Sequence, residues 1–246
     1  MKDCISTPSP QPSPPAKSAG REGEKRHIRS FVLRQGRFTP AEQRAFTEHW
    51  PRYGLSVDAG VLDARRTFGR RAPLVLEIGF GNGEQLLSSS LREPGKNFVG
   101  IEVHRPGVGR LMNALASHNV DNVRLYNDDA IAVLEHCIAP SMLDEVRIYF
   151  PDPWPKKRHH KRRLLQAPFV RALAACLADG GYLHVATDWQ PYADEILGVL
   201  TAEPALRNTA DGFAARPQWR PLTKFEQRGI ARGHAVFDLL FTKRAA

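Results

Sequence analysis

Cysteine is scarce in this 246-residue chain: Cys4, Cys137 and Cys176 are all it has. Three thiols so far apart make neither a disulfide framework nor a four-ligand zinc site, and no metal is expected; their number agrees with a reducing compartment. Cys137 and Cys176 read as small apolar fillers of helices. No apolar run approaches the roughly 18 residues of a membrane span, and the N-terminus carries no apolar segment of the signal-peptide kind. A cytoplasmic protein with no membrane partner is therefore expected. Hydrophobic residues at 42% beside 25% charged exclude disorder throughout and describe an ordinary soluble chain of one domain, or at most two.

Acidic residues are missing where bases gather. Lys+Arg 35 against Asp+Glu 26 leaves a net +9, and that surplus sits in two segments. Residues 1–30 hold six bases and three acids, while residues 156–163, Lys-Lys-Arg-His-His-Lys-Arg-Arg, hold six bases and no acid. With both removed, 23 bases face 23 acids. A short positive patch on a neutral body favours a polyanion met at one face over diffuse binding.

Up to about His27 the chain has five prolines (Pro8, Pro10, Pro12, Pro14, Pro15) among Ser, Gly and charged residues, which predicts a disordered, Pro-rich basic tail over 1–27. Residues 28–246 are expected to form one domain. Order is predicted to begin near Ile28 to Phe38. Thr39-Pro40-Ala41-Glu42 then combines a cap, a proline at the first helical position and a glutamate at the third, predicting a helix that runs towards Trp50 and stops at Pro51.

From Pro73 onward β-branched apolar runs alternate with helical periods. Strands are predicted over Leu74 to Ile78, Phe98 to Val103, Val123 to Tyr126, Val146 to Phe150, Tyr182 to Ala186 and Val236 to Phe241. Val108, Leu111, Met112 and Leu115 sit at i, i+3, i+4 and i+7; Ala130, Val133, Leu134, Cys137 and Ile138, and then Val170, Leu173, Ala174 and Leu177, repeat the stripe. Asp179-Gly180-Gly181 reads as the glycine end of the third helix. The pattern predicts a doubly wound, mainly parallel α/β sheet of the Rossmann-like kind, with helices on both faces and ligands at the carboxyl ends of the strands.

The acids at those ends carry the chemistry. Glu77-Ile78-Gly79-Phe80-Gly81-Asn82-Gly83 is a strand followed by a glycine turn at which a ligand can approach bare backbone. Glu84 stands where a dinucleotide fingerprint would place its third glycine, and Glu77 would repel a pyrophosphate. A cationic ligand such as S-adenosylmethionine suits this acid better than NAD. Glu102 closes the second strand where a ribose would present its hydroxyls. Asn127-Asp128-Asp129 follows the third, either as a helix cap or beside an adenine. The fourth ends Phe150-Pro151-Asp152-Pro153-Trp154-Pro155, two prolines fixing an aspartate beside a flat aromatic face, a combination able to hold a base taken out of its stack. The basic run follows at once. His159 and His160 belong to it, since neither has metal-ligand company. Ala186-Thr187-Asp188-Trp189 sets a second Asp-Trp pair at the fifth strand end.

These residues in this order resemble the bacterial tRNA (guanine-N7)-methyltransferases, which modify guanine 46 of the variable loop; the likeness runs from about Ile28 to Thr242. It implies a class I methyltransferase fold with an antiparallel strand near the C-terminus. It also implies Glu77, Glu102, Asp129 and Asp152 as contacts of S-adenosylmethionine, with Gly79 and Gly81 in the turn, and Asp152 as the catalytic residue. Lys156, Asp188 and Thr223-Lys224-Phe225-Glu226 are implied as substrate contacts. Arg158, His159, His160, Lys161, Arg162 and Arg163 are implied as the tRNA contact. Other readings stay open on the residues alone: a methyltransferase for another RNA or a small molecule, a non-catalytic RNA-binding module on the same fold, or an NAD dehydrogenase, which Glu77 and Glu84 disfavour. Whether the chain acts as monomer or homodimer is not written in these patterns.

Overall fold

The computed structural model describes residues 30–31, 38–220, 222, 226–227 and 235–245. The expected tail over 1–27 and the implied contacts Thr223, Lys224 and Phe225 lie outside the described residues.

Helix α1 (Pro40–Glu48) begins as its sequence dictates. Thr39 Oγ accepts from the Glu42 amide and the Glu42 carboxylate accepts from the Thr39 amide, a complete capping box with Pro40 in the first turn. Pro51 does not simply stop the chain. After a break at His49 it stands in the first turn of a second short helix, α2 (Trp50–Tyr53), because proline needs no amide partner there.

Next come β1 (Gly54–Leu55), α3 (Ala64–Phe68), β2 (Leu74–Ile78), α4 (Glu84–Arg92), β3 (Asn97–Ile101), α5 (Arg105–Ser117), β4 (Val123–Tyr126), α6 (Ala130–Cys137), β5 (Leu143–Tyr149), α7 (Ala167–Cys176), β6 (Leu177–Thr187), α8 (Gln190–Ala202), β7 (Leu206–Asn208) and β8 (Phe237–Lys243). The strands form one sheet in the order β1-β4-β3-β2-β5-β6-β8-β7. All its pairs are parallel except those that β8 makes with β6 and β7. The doubly wound sheet and the antiparallel strand near the C-terminus are thus as expected. Strand order reverses at β2, which pairs with β3 on one side and β5 on the other. A cleft opens beyond the carboxyl ends at such a point.

Alternation along buried strands splits the core in two. Leu74, Leu76 and Ile78 pack with Val133, Leu134, Leu173 and Ile196 of α6, α7 and α8, while Val75 packs with Leu86, Leu111, Met112 and Leu115 of α4 and α5. The predicted stripes are these core faces, and Cys137 and Cys176 are buried among them. Asp179-Gly180-Gly181 departs from its predicted role. Helix α7 ends at Cys176 with Leu177 already extended, and Gly180, at φ 74°, lies in an irregular stretch of β6 where pairing jumps from Leu143–Leu177 to Glu145–Tyr182.

Candidate functional site

The cleft has two lobes at the switch point, one of about 240 Å³ and one of about 430 Å³, sharing Gly79, Tyr149 and Phe150 in their walls. The glycine turn between β2 and α4 is their common lip. Gly79, Gly81 and Gly83 hold φ of 75°, 59° and 78°, in the left-handed region where a side chain costs about 1–2 kcal/mol. Two further glycines let helix and strand close on the turn. A β-carbon on Gly107 would stand 2.1 Å from the Gly81 carbonyl oxygen, and one on Gly100 would stand 2.6 Å from Leu86.

Glu77 lies one residue from the end of β2, opposite Gly100 on β3, and is 2% exposed. Its Oε2 has no hydrogen-bond partner among the described residues. Burial pushes the carboxyl up to about 7, with Arg147 on β5 pulling it back in part. An unpartnered buried carboxylate beside bare backbone suits a cation that arrives with a ligand.

Glu102 is fully engaged with backbone. One oxygen accepts from the Gly81 amide at 2.8 Å and the other from Val103 and His104 at 2.8 and 2.9 Å. It ties the glycine turn to the start of α5 while lining the smaller lobe. The two neighbouring aspartates are placed differently. Asp129 is the N-cap of α6, accepting from the Ile131 amide at 3.0 Å, whereas Asp128 lines the cavity.

Asp152 stands exposed at the rim of the smaller lobe, after β5. The turn bearing it is bent by two non-glycine residues at positive φ, Phe150 at 52° and Trp154 at 45°. Such geometry costs of order 1–3 kcal/mol per residue and persists only where surroundings impose it. Trp154 is not the open platform its sequence neighbourhood predicts. Its indole N–H donates to the Ser30 carbonyl at 3.1 Å, Arg162 lies 5.0 Å over its ring and His159 meets it edge-on. The more exposed aromatic is Trp189, 40% accessible after Asp188 at the end of β6. Because Tyr149 pairs with Ala186 across β5 and β6, the two Asp-Trp pairs leave the sheet side by side.

The basic run folds as a 3-10 turn, Lys157–Arg162. Lys156, Lys157, Arg158 and Lys161 are exposed, and His159, His160 and Arg162 half-buried. Some loss of hydration and then the charges of Arg158, Arg162, Lys156 and Lys161 hold His159 below its ordinary value, so it adds no charge near neutrality. Arg163 is placed unlike the rest of the run. It is 3% exposed, donates to the Pro153 carbonyl at 2.8 Å, pairs with Glu195 and lies 4.7 Å over Tyr192. A guanidinium so buried is not presented at the surface of the run; it holds the Asp152 turn.

Glu226 is buried as well. It is 2% exposed, and both its oxygens accept from Arg220 at 2.7 Å. Two further features line the cleft. Ser30 and Phe31 wall the smaller lobe, with only the apolar start at Ile28 as a hint. Arg220 lines the larger lobe from a stretch without periodicity.

Comparison with known proteins gives the cleft a context. A family described as "Putative methyltransferase" matches residues 71–239. A tRNA (guanine-N(7)-)-methyltransferase of Xanthomonas campestris pv. campestris (strain 8004) is 55% identical over 234 residues, covering 94% of this chain and 89% of that one. A protein of the same name from Acidovorax sp. (strain JS42) is 50% identical over 251 residues, covering 99% and 100%. Among solved structures, the 16S rRNA methyltransferase KamB superposes with a TM-score of 0.57 at 17% identity, over 75% of this chain and 95% of its own. The antibiotic-resistance methyltransferase Kmr gives 0.55 at 13%, over 78% and 94%. At those identities the structures speak for the fold alone. The family match spans more than half of the chain and the relatives cover nearly all of it, so the chain belongs to the tRNA (guanine-N(7)-)-methyltransferase family.

Proposed function

We propose that this protein transfers a methyl group from S-adenosylmethionine to N7 of a guanine in tRNA, guanine 46 of the variable loop by the family likeness. The observation that carries the reading is the position of Asp152: it lines the cleft and lies four residues before the exposed cations that begin at Lys156. A base held at that carboxylate would have its RNA backbone on the cations.

The cleft fits the donor. Glu77 offers a desolvated carboxylate to an ammonium, the glycine turn offers backbone, and Glu102 stands where ribose hydroxyls would arrive. Asp128 or the capping Asp129 would meet an adenine. When bound, S-adenosylmethionine supplies a sulfonium-activated methyl group that leaves sulfur as the bond to guanine N7 forms.

Guanine N7 carries a free lone pair, so no side chain has to remove a proton from it, and positioning is the larger share of the task. The methylated ring is cationic, so Asp152 stabilises charge that develops during transfer. Asp152 and Asp188 accept from the N1 and N2 donors of the base, and Trp189 limits water. Lys156, Lys157, Arg158 and Lys161 hold phosphates, which makes activity fall steeply as salt rises.

The test is to incubate labelled S-adenosylmethionine with tRNA transcripts that carry or lack guanine in the variable loop and to map the labelled base. Label at N7 of that guanine is expected. Label on another base, or none, overturns the reading.

A further inference from the structure

A layer of charge lies between the sheet and α4. Side chains alternate along a strand, so Glu77 faces the same side of β2 as Val75, towards α4 and α5. Parallel pairing sets Glu145 of β5 opposite Val75 and Arg147 opposite Glu77, on that same side. Arg147 is fully buried, its guanidinium 5.7 Å over the ring of Phe98. Its Nε and Nη2 donate to Glu145 at 3.2 and 2.6 Å, and Nη2 also meets Glu93, the residue that closes α4, at 3.1 Å. Lys96 joins the two carboxylates, 2.6 Å from Glu93 and paired with Glu145.

Two atoms of this layer are left over. Arg147 Nη1 has no partner among the described residues, and neither has Glu77 Oε2. The charges explain why. Glu77, Glu93 and Glu145 face Lys96 and Arg147, so the layer is one cation short, and the hydrogen bonds assign both cations to Glu93 and Glu145. Glu77 is the carboxylate without a counter-ion of its own. The other ionisable groups around it do not supply one. Burial keeps the Tyr149 phenol neutral, Glu84 is exposed at the start of α4, and Arg220, across the lobe, is paired with two other carboxylates.

Stability is a poor reason for a buried guanidinium here, because well-packed apolar residues of the same volume serve as well or better than a buried ion cluster. An apolar residue could not act on Glu77, however. The charge of Arg147 opposes the burial that raises the Glu77 carboxyl, and Glu145, bonded to the same guanidinium, moderates that charge.

We propose that Arg147 is a positioning residue for the donor site: from the neighbouring strand it holds the Glu77 carboxylate in the charged form that receives the donor's ammonium, and Glu145 sets how strongly it does so. The proposal rests on the reading of the cleft as a site for S-adenosylmethionine.

The experiment uses S-adenosylhomocysteine, the donor without its methyl group, which keeps the ammonium. Its Kd is measured calorimetrically from pH 6 to pH 9 for the full-length wild type, Arg147→Gln, Arg147→Lys and Glu145→Gln. The ratio of each variant's Kd to that of wild type is taken at every pH, so that titration of the ligand itself cancels. Arg147→Gln makes Glu77 hold its proton more tightly, so its ratio should be about tenfold or more at pH 6 and decline to within about twofold of unity by pH 9. Arg147→Lys keeps the charge and should stay within about threefold of wild type throughout. Glu145→Gln leaves the guanidinium less neutralised, so this variant should bind about threefold more tightly than wild type at pH 6 and equally at pH 9. A ratio for Arg147→Gln that is the same at every pH marks a merely structural role and overturns the proposal. Weaker binding by Glu145→Gln at pH 6 also overturns it. If Arg147→Gln folds poorly, Glu145→Gln carries the test, because tighter binding at low pH alone is an outcome that a loosened core cannot give. A wild type that does not bind the probe defeats the reading of the cleft itself, and is told apart because no variant enters it.

Discussion

Trp154 donates its indole N–H to the main-chain carbonyl of Ser30 at 3.1 Å, across 124 residues of sequence. The bond fastens a wall of the cleft to the turn that carries Asp152, since Ser30 and Phe31 border the same lobe. Trp154→Phe keeps a ring beneath Arg162 and deletes the donor, at about 1 kcal/mol for a hydrogen bond of this kind. Affinity for S-adenosylmethionine, measured calorimetrically, should fall about fivefold. An unchanged Kd would show that the Ser30 wall does not bear on the donor site.

Glu77 makes stability depend on pH with an unusual sign for a carboxylate. Its folded-state value of about 7 lies above the ordinary 4.5, so the native protein keeps a proton that the unfolded chain releases. The carboxyl imposes no penalty below pH 4.5; the cost grows as pH rises towards 7 and is constant beyond. At about 1.4 kcal/mol per pH unit the cost reaches roughly 3 kcal/mol. Glu77→Gln should therefore gain stability over wild type at pH 8 but not at pH 4.5, as read from urea unfolding at both. A difference between the two proteins that does not vary with pH would contradict this.

The same carboxyl should make donor binding pH-dependent in the opposite sense. A bound ammonium favours the charged form, so binding expels a proton below pH 7 and affinity for S-adenosylmethionine should weaken by up to tenfold for each pH unit lost. The Glu77→Gln variant should bind more weakly at pH 7.5 and show a flat profile between pH 5 and 7. A wild-type profile that is also flat would place the ammonium elsewhere.

Much of this was legible in the chain because the relevant signals are local. Thr39 and Glu42 spell their capping box within one turn, and the stripes of α5, α6 and α7 follow from helical period; Glu77, Glu102 and Asp152 stand where strand patterns end. What escaped depends on partners distant in sequence. Arg163 reads as one more base in a run until β5 and α8 bring Pro153 and Glu195 to it. His184, between Leu183 and Val185, and Asp238, between Phe237 and Leu239, are polar residues inside apolar strands, and only the pairing of β6 with β8 brings the two together at 2.7 Å. Strand β7 is three residues long, too short for any periodicity to register.

Gly107 and Gly79 separate two reasons for glycine. In Gly107→Ala a methyl group would meet the Gly81 carbonyl at 2.1 Å, and backbone cannot yield as a side chain can, so the turn must shift away from α5. Donor affinity should fall more than tenfold. Gly79→Ala meets nothing within 4 Å and suffers only the strain of φ 75°, about 1–2 kcal/mol, read as a lower melting temperature. Equal effects of the two substitutions on donor affinity would refute the distinction.

Lys161 and Arg163 lie two residues apart in the same run, yet one is exposed and the other 3% exposed. Lys161→Ala should remove about one phosphate contact, lowering the slope of log affinity for tRNA against log salt by about 1 while leaving the melting temperature unchanged. Arg163→Ala strips the Pro153 carbonyl and Glu195 of their partner. Glu195 is 36% exposed at its side chain, so water recovers part of the loss and about 2 kcal/mol remains, which is a fall of roughly 5 °C in Tm for a chain of this size. Its salt slope should equal that of wild type, with the loss appearing in kcat as the Asp152 turn loosens. If Arg163→Ala instead flattens the salt slope and melts like wild type, its guanidinium leaves the interior to meet the RNA.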